Sequence, residues 1–207
     1  MLNFELYNPV RIIFGPGEAE NIGKYTKEYG TKAMLVTYDV HDFFNELLAK
    51  LDKSFKDAGV TVTEFFKVKP NPRLSDIEEA IDICRKEGIE VIVALGGGSV
   101  MDSAKAIGAG VKYDGDPWKM FVSRHDKAVA VPPTDTLPTI MIPTKSATSS
   151  ETNNVAVATN DRTHEKAYIW APVLYPKICV MDPCVTATLP KFPMAAGAVD
   201  AMSHVLE

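Results

Sequence analysis

The stretch IEVIVALGGGSVMDSAKAIGAG, residues 89–110, decides the fold of this chain. Residues 91–95 are apolar without interruption, which is typical of a strand buried on both faces of a parallel sheet. The three glycines that follow, residues 96–98, predict a tight turn, because glycine accepts backbone conformations that other residues avoid. A helix is predicted directly after them, so the stretch indicates a strand–turn–helix unit.

The flanking sequence repeats this alternation of strand and helix. Residues 31–38 (TKAMLVTY) and 60–68 (VTVTEFFKV) predict strands, and residues 16–30, 43–59 and 74–88 predict helices. Ser75 with Glu78 three positions later suggests a capping box at the start of the last of these helices. Strands that alternate with helices predict a doubly wound, Rossmann-like α/β domain with a parallel sheet.

The two ends of the chain and its second half read differently. Residues 4–15 (FELYNPVRIIFG) predict two extended pieces that form a hairpin or an edge ribbon. Residues 154–161 and 166–172 predict a second hairpin, residues 177–183 a last strand, and residues 188–207 a helix approached through prolines.

Composition excludes several classes of protein. The chain has 207 residues, and 46% of them are hydrophobic, which is ordinary for a globular protein. Its formal net charge is −5, which argues against a nucleic-acid partner because such a partner requires a basic surface. The longest apolar runs have the length of a strand, which argues against a membrane-spanning helix, and no signal peptide is expected at the start. Three widely spaced cysteines predict reduced, buried thiols in a cytoplasmic protein.

The glycine turn is the first candidate binding site. Gly97, Gly98 and Ser99 lie where a helix begins, and the free N–H groups and partial positive charge of a helix N-terminus attract phosphate. Asp102 follows one turn into the helix, within reach of a ribose or an amide. The spacing is neither GxGxxG nor a Walker A loop, so a tight turn without a ligand stays open.

An acidic residue follows the second predicted strand. In doubly wound folds a carboxylate at this place binds the adenosine ribose hydroxyls and repels a 2′-phosphate. Asp39, or the nearby Asp42, would therefore favour NAD over NADP. An ordinary turn aspartate is the alternative.

Residues 143–154 (PTKSATSSETNN) collect hydroxyl and amide side chains after a strand. Such groups suit a nicotinamide or a ribose, and they suit a solvated loop equally well. By composition alone Lys105, Glu151 and Lys166 are ordinary surface residues.

The final helix places Asp200 and His204 four positions apart, on one helix face. A carboxylate and an imidazole so spaced can bind one metal ion together, although a surface pair is the commoner arrangement.

Taken in order, these motifs resemble the iron-containing, group III alcohol dehydrogenases. The resemblance is carried by NPVRIIFGPG, KPNP, VIVALGGGSVMDSAK, PTKSATSSET and GAVDAMSHVLE, and YDGDPWKMF is similar to the butanol-dehydrogenase-like branch. It implies an α/β nucleotide-binding domain at residues 1–184, followed at 185–207 by the first helix of an all-helical domain, as in dehydroquinate-synthase-like architectures. It also implies that the chain is the N-terminal portion of a longer protein.

The resemblance implies roles for single residues. Gly97, Gly98 and Ser99 would hold the cofactor pyrophosphate, with Asp102 towards the nicotinamide. Other residues would line the nicotinamide and ribose pocket: Thr144, Thr148, Asn153 and Lys166. Asp200 and His204 would be two of four metal ligands, and the other two would be histidines further along the polypeptide.

The implied activity is hydride transfer between NAD, with NADP as the alternative, and a primary alcohol or aldehyde, at a divalent metal such as Fe(II) or Zn(II). The alternatives are a glycerol-dehydrogenase-like or dehydroquinate-synthase-like enzyme, or a non-catalytic dinucleotide-binding module. The resemblance also suggests a homodimer. One departure concerns the Ser/Thr loop, where the family usually has glycines and this chain has Ala147 and Ser149.

Overall fold

The structure is a computed structural model, and it describes residues 3, 5, 7–40, 42–123, 130–187 and 189–206. Six strands form one parallel sheet in the order β1-β8-β5-β4-β2-β3. Their bounds are β1 Arg11–Phe14, β2 Lys32–Tyr38, β3 Thr61–Val68, β4 Val91–Gly96, β5 Thr139–Pro143 and β8 Ile178–Met181. The predicted parallel α/β fold is therefore confirmed.

Helices cover both faces of this sheet. The helices of the chain are α1 Ile22–Lys27, α2 Asn45–Asp57, α3 Leu74–Glu87, α4 Gly98–Lys112, α5 Pro183–Thr186 and α6 Lys191–Leu206, and the first four pack on the sheet. Alternate residues of β4 enter two separate hydrophobic clusters: Ile92 and Ala94 pack with α3 and α4, whereas Val91, Val93 and Leu95 pack with α1 and α2. This double burial explains why the strand is apolar without interruption.

A two-stranded antiparallel hairpin of β6 Val155–Asn160 and β7 Glu165–Trp170 lies outside the main sheet. It is the hairpin predicted from the sequence, and it packs against α4. Alternate side chains of β7 are buried and exposed, so one face of the hairpin covers the core and the other faces outward.

The edge alternative predicted for the start of the chain is found at residues 11–14, where β1 pairs in parallel with β8 at an edge of the sheet. The first piece of the expected hairpin lies largely outside the described residues, so the hairpin stays a prediction. The capping box predicted at Ser75 is wrong. Ser75 lies inside α3, whose N-cap is Arg73 with no side-chain cap. The Ser75 N–H instead donates to Asp161 Oδ1 at 3.1 Å, so the helix receives its acidic cap from the β6–β7 turn.

The last helix, α6, is largely exposed. Its apolar side chains Phe192, Val199, Met202 and Val205 are each more than 60% exposed. Gly197 is the one buried residue in the described helix, 191–206, and a Cβ there would lie 2.8 Å from Ser146 Oγ. The helix therefore touches the α/β domain closely at that point. Within the described residues, no helix combines the length and the hydropathy that a membrane crossing requires.

The three cysteines are free thiols, but they are not all buried as expected, because Cys184 is exposed. Burial raises the pKa of Cys84 and of Cys179 to about 12, so both stay protonated in the folded protein. Only a thiolate reacts readily with an alkylating agent. Cys184 is therefore the reactive thiol of the folded chain.

Iodoacetamide at pH 8 should label one thiol of the folded chain rapidly and all three after denaturation. The Cys184→Ser variant should show no rapid labelling, and equal rates at Cys84 and Cys184 would contradict the structure.

The two buried thiols also make the stability of the fold depend on pH. Because their pKa in the folded chain lies above the unfolded value, keeping them protonated costs the folded state nothing below pH 9, and their contribution to the free energy of unfolding is complete there. It is lost as the pH rises from 9 towards 12, which denaturant titrations can measure.

Candidate functional site

The candidate site lies where β2, β4 and β5 end at the same edge of the sheet. β4 pairs with β2 on one side and with β5 on the other, and Gly96 lies opposite Pro143. The chain leaves β2 towards β3 and leaves β4 towards β5, so the strand order reverses between β2 and β4. Ligands of doubly wound folds bind in the crevice at such a reversal.

The glycine turn forms the floor of this crevice. Gly97 is the N-cap of α4, and Gly98 begins that 15-residue helix. A Cβ on Gly98 would lie 3.5 Å from Thr148 Cβ, so this glycine faces the Ser/Thr loop across a narrow gap. The turn thus presents the glycine backbone at the N-terminus of a long helix to the loop. This is the arrangement that binds a phosphate group.

Tyr38, the last residue of β2, contacts the same turn. The Gly97 N–H donates to Tyr38 Oη at 2.9 Å, and burial raises the pKa of the phenol. Sequence reasoning missed this contact, because nothing in the residues 31–38 indicates which side chain turns towards the glycines. Asp39 comes next and is exposed, with its N–H donating to Val68 O at 3.1 Å. Asp42 is exposed as well, in a short 3-10 turn.

Ser99 and Lys166 converge on Asn71, which sequence reasoning also missed. The Asn71 N–H donates to Ser99 Oγ at 3.3 Å, and Lys166 Nζ donates to Asn71 Oδ1 at 3.0 Å. Asn71 has a φ of 63°, a left-handed conformation that asparagine tolerates better than most residues. The KPNP motif at residues 69–72, which contains Asn71, was the sequence feature that could have pointed to this residue. The hairpin and the glycine turn are thus linked through one asparagine.

The Ser/Thr loop, residues 144–154, forms the opposite wall. Thr144 is buried and donates its N–H to Gly96 O at 3.0 Å, which ties the loop to the end of β4. Thr148 Oγ1 donates to Glu151 Oε2 at 3.0 Å. Asn153 Oδ1 accepts from the Val155 N–H at 3.0 Å and from Lys105 Nζ at 2.8 Å. The loop is therefore built by its own polar side chains.

Two residues of this loop have left-handed backbone conformations, Ala147 with a φ of 67° and Ser149 with a φ of 54°. They occupy the two positions where the resemblance described above implies glycine. A residue with a Cβ is strained in this conformation by about 1–2 kcal/mol. Ala147 and Ser149 thus adopt a backbone conformation that glycine accepts more readily.

Ala147→Gly should raise the free energy of unfolding by about 0.5–1 kcal/mol, since relief of strain exceeds the added entropy of the unfolded chain. Ala49→Gly is the matched control, because Ala49 is exposed inside α2. That change should lower stability by about 1 kcal/mol. Urea unfolding of both variants measures the two effects, and a loss of stability in Ala147→Gly would contradict the strain at this position.

Lys105 and Asp102 lie on the face of α4 that packs against the loop and β6. Lys105 is fully buried, so its interpretation as a surface residue is wrong. Burial lowers the pKa of Lys105 to about 8 and raises the pKa of Asp102, which the Ser150 hydroxyl opposes. Asp102 Oδ1 accepts from Ser150 Oγ at 2.6 Å, and its Oδ2 accepts from the Val157 N–H at 3.0 Å.

Asp200 and His204 lie on one exposed face of α6, with 3.7 Å between Asp200 Oδ1 and His204 Nε2. This spacing fits two ligands of one metal ion, and an oxygen–nitrogen donor set suits Fe(II) or Zn(II). Within the described ranges no group of three or more His, Cys, Asp or Glu side chains meets the spacing of a metal site. Further ligands would have to come from outside the described part of this chain.

Known proteins match the chain along its whole length. The family model named iron-containing alcohol dehydrogenase matches residues 9–183. The probable NADH-dependent butanol dehydrogenase 1 of Bacillus subtilis is 41% identical, over 100% of this chain and 52% of that protein. NADH-dependent butanol dehydrogenase A of Clostridium acetobutylicum is 37% identical, with the same two coverages, 100% and 52%.

Solved structures show the same correspondence. The crystal structure of NADH-dependent butanol dehydrogenase A from Thermotoga maritima superposes with a TM-score of 0.86 at 40% identity. The superposition covers 99% of this chain and 50% of that one. The chain thus spans about half the length of the curated relatives it matches.

Proposed function

The chain belongs to the iron-containing alcohol dehydrogenase family, and from this we propose that it is the nucleotide-binding portion of an NAD-dependent, metal-dependent alcohol dehydrogenase. The substrate class is a primary alcohol and its aldehyde, as the names of the butanol dehydrogenase relatives suggest. Residues 1–184 form the nucleotide-binding domain, and residues 185–207 begin a helical, metal-binding domain. The exposed apolar side chains of α6 support this division, since a helix that packs into a further domain carries such residues.

One observation carries the proposal: the side-chain-free N-terminus of α4 faces the Ser/Thr loop where the strand order reverses. Gly98 and Ser99 bind the pyrophosphate there, because N–H groups at the start of a long helix attract anions. Gly97, whose own N–H donates to Tyr38 Oη, contributes a turn without a side chain next to them. Asp39 at the end of β2 accepts hydrogen bonds from the adenosine ribose and repels a 2′-phosphate.

The nicotinamide end lies along the loop and the hairpin. Thr144, Thr148 and Asn153 line this side, and Lys166 reaches it from β7. The contact between Lys166 and Asn71, which also bonds Ser99, supports this placement because it brings β7 to the glycine turn. Asp102 stands behind the loop, held by Ser150 and Val157.

Asp200 and His204 hold the divalent metal, Fe(II) or Zn(II), together with ligands from outside this chain. When bound, the metal supplies Lewis-acid polarisation of the alcohol oxygen and the nicotinamide supplies the hydride acceptor. The residues of this chain would bind and orient the cofactor: the glycine turn would hold the phosphates, and the loop, which contacts the middle of α6, would hold the nicotinamide end. The close contact between Gly197 and Ser146 supports this arrangement, since it joins α6 to the loop.

Titration of the chain with NADH and with NADPH tests the cofactor assignment. We expect NADH to bind at least about 10-fold more tightly than NADPH. The Asp39 carboxylate would face the 2′-phosphate of NADPH, and repulsion of about 1.4 kcal/mol between them corresponds to that ratio. Asp39→Asn should narrow that ratio, and the matched variant Asp42→Asn should leave it unchanged. Equal affinities for both cofactors would overturn the preference, and an effect of Asp42→Asn alone would move the role to Asp42.

Further proposals concern the setting of the enzyme. Three free cysteines support a cytoplasmic location, where thiols remain reduced. The family resemblance suggests a homodimer, and sedimentation would decide this. The negative net charge gives no support to a nucleic-acid partner.

A further inference from the structure

Among the described residues, no strand lies along the outer edge of β6, and groups from other elements satisfy its backbone there. β6 forms a two-stranded sheet with β7, and an isolated bridge joins Thr159 to Arg73. On its other side, Val155 O accepts from Lys105 Nζ at 2.8 Å, and the Val157 N–H donates to Asp102 Oδ2 at 3.0 Å. The Thr159 N–H donates to Pro72 O at 2.7 Å. Two of these three partners are side chains of α4, the helix that begins at the glycine turn.

The same two side chains also hold the Ser/Thr loop. Lys105 Nζ donates a second bond, to Asn153 Oδ1 at 2.8 Å, and Asp102 Oδ1 accepts from Ser150 Oγ at 2.6 Å. Asp102 and Lys105 are three positions apart, so both point from one face of α4. Each side chain therefore contacts the loop and β6 at once.

We propose that Asp102 and Lys105 are positioning residues, which fix the Ser/Thr loop and the β6–β7 hairpin to α4 and thereby set the width of the cofactor crevice. The contacts of these two side chains are the evidence for the proposal, and its statement about a cofactor crevice rests on the proposed function. It goes beyond the ligand roles, since neither side chain needs to touch the cofactor.

Burial makes the arrangement rigid. Lys105 is 0% exposed, and a buried ammonium group that loses its acceptors has no water to replace them. Two charged groups act on the Lys105 ammonium: Asp102, which lies on α4, and Glu151, which lies in the Ser/Thr loop. Opening of the loop would remove Asn153 from the buried Lys105 ammonium and Ser150 from the half-buried Asp102 carboxylate, so the closed arrangement is preferred.

The consequence for the site is geometric. Gly98 faces Thr148 of the Ser/Thr loop, and Lys166 on β7 reaches Ser99 through Asn71. The two walls of the crevice, the loop and the hairpin, are therefore both held by Asp102 and Lys105. A loose loop would bind the cofactor more weakly, because ordering it would then be part of the binding free energy.

Hydrogen exchange of the cofactor-free chain tests the anchor directly. In Lys105→Met, which keeps a side chain of similar length, the amides of residues 144–157 should exchange at least about 10-fold faster, since local opening becomes easier. The amides of β2 and β4 should be unchanged, which separates local release from general destabilisation. Lys112→Met is the matched control, because Lys112 is exposed at the end of the same helix.

NADH affinity is the second measurement. It should fall by about 10-fold in Lys105→Met and stay unchanged in Lys112→Met, as expected when the loop must be ordered on binding. If Lys105→Met does not fold, Ser150→Ala decides the question, because it removes one hydroxyl that donates to Asp102. Ser150→Ala should speed exchange in residues 144–157 by about 3-fold, the equivalent of one net hydrogen bond of modest strength.

Unchanged exchange of residues 144–157 in a folded Lys105→Met, or in Ser150→Ala, would overturn the proposal. A uniform increase of exchange through β2 and β4 would overturn it as well. If the unmodified chain binds no NADH, the proposed function fails, whereas the exchange measurement still decides whether Asp102 and Lys105 hold the loop.

Discussion

Gly98→Ala should remove NADH binding and leave the fold intact. The added Cβ would lie 3.5 Å from Thr148 Cβ, which is ordinary contact, so nothing in the folded chain has to move. Alanine is also a better helix former than glycine, and Gly98 is the first residue of α4. The unfolding midpoint should therefore be equal to that of the unmodified chain or slightly higher.

On the proposed function, the methyl group would nevertheless occupy the gap through which the pyrophosphate would reach the N–H groups of the turn. Loss of about two charge-assisted hydrogen bonds corresponds to about 3 kcal/mol, or an affinity at least about 100-fold weaker. NADH fluorescence titration measures this. Gly15→Ala is the matched control, since its Cβ would meet only the flexible Glu18 side chain, at 3.1 Å, and it should bind NADH normally. Normal binding by Gly98→Ala would place the phosphate elsewhere.

Asp200→Ala should abolish alcohol oxidation once the metal site is complete. A suitable complete protein is a chimera in which residues 1–207 are joined to the C-terminal half of the Bacillus subtilis butanol dehydrogenase relative. We expect this chimera to oxidise butanol with NAD⁺ in the presence of Fe(II) or Zn(II). We expect the 207-residue chain alone to show no turnover, because two ligands hold a metal ion far more weakly than four.

In the chimera, Asp200→Ala and His204→Ala should each reduce kcat by at least about 1,000-fold, since a lost ligand removes the metal and with it several kcal/mol of charge stabilisation. Ser203→Ala is the matched control, because Ser203 is an exposed neighbour on the same helix. It should retain activity. Robust metal-dependent turnover by the 207-residue chain alone would contradict the account of the site, as would full activity of Asp200→Ala.

The parts of this fold that follow from local pattern were predictable. The apolar run at residues 91–95 and the glycines after it fix β4 and the start of α4, because strand burial and turn conformation depend on adjacent residues. The positive φ values of Ala147 and Ser149 agree with the glycines that the family resemblance implies at these positions. These features are encoded within a few positions of the chain.

The parts that depend on distant partners were not predictable. The cap of α3 comes from Asp161, 86 positions after Ser75, so the local capping box pointed to the wrong residue. Composition alone predicts a surface lysine at Lys105, since its acceptors, Asn153 and Val155, are distant in the sequence and become its neighbours only in the folded chain. Tyr38 likewise meets Gly97 only through the pairing of β2 with β4.

Amide chemical shifts of the isotopically labelled chain, recorded with and without NADH, test the central claim most directly. The account predicts that the largest changes fall on residues 97–99 and on the Ser/Thr loop, residues 144–154, with β3 and the end of α3 unaffected. Shifts that cluster away from the glycine turn, or no shifts at millimolar NADH, would contradict the assignment of this crevice as the cofactor site.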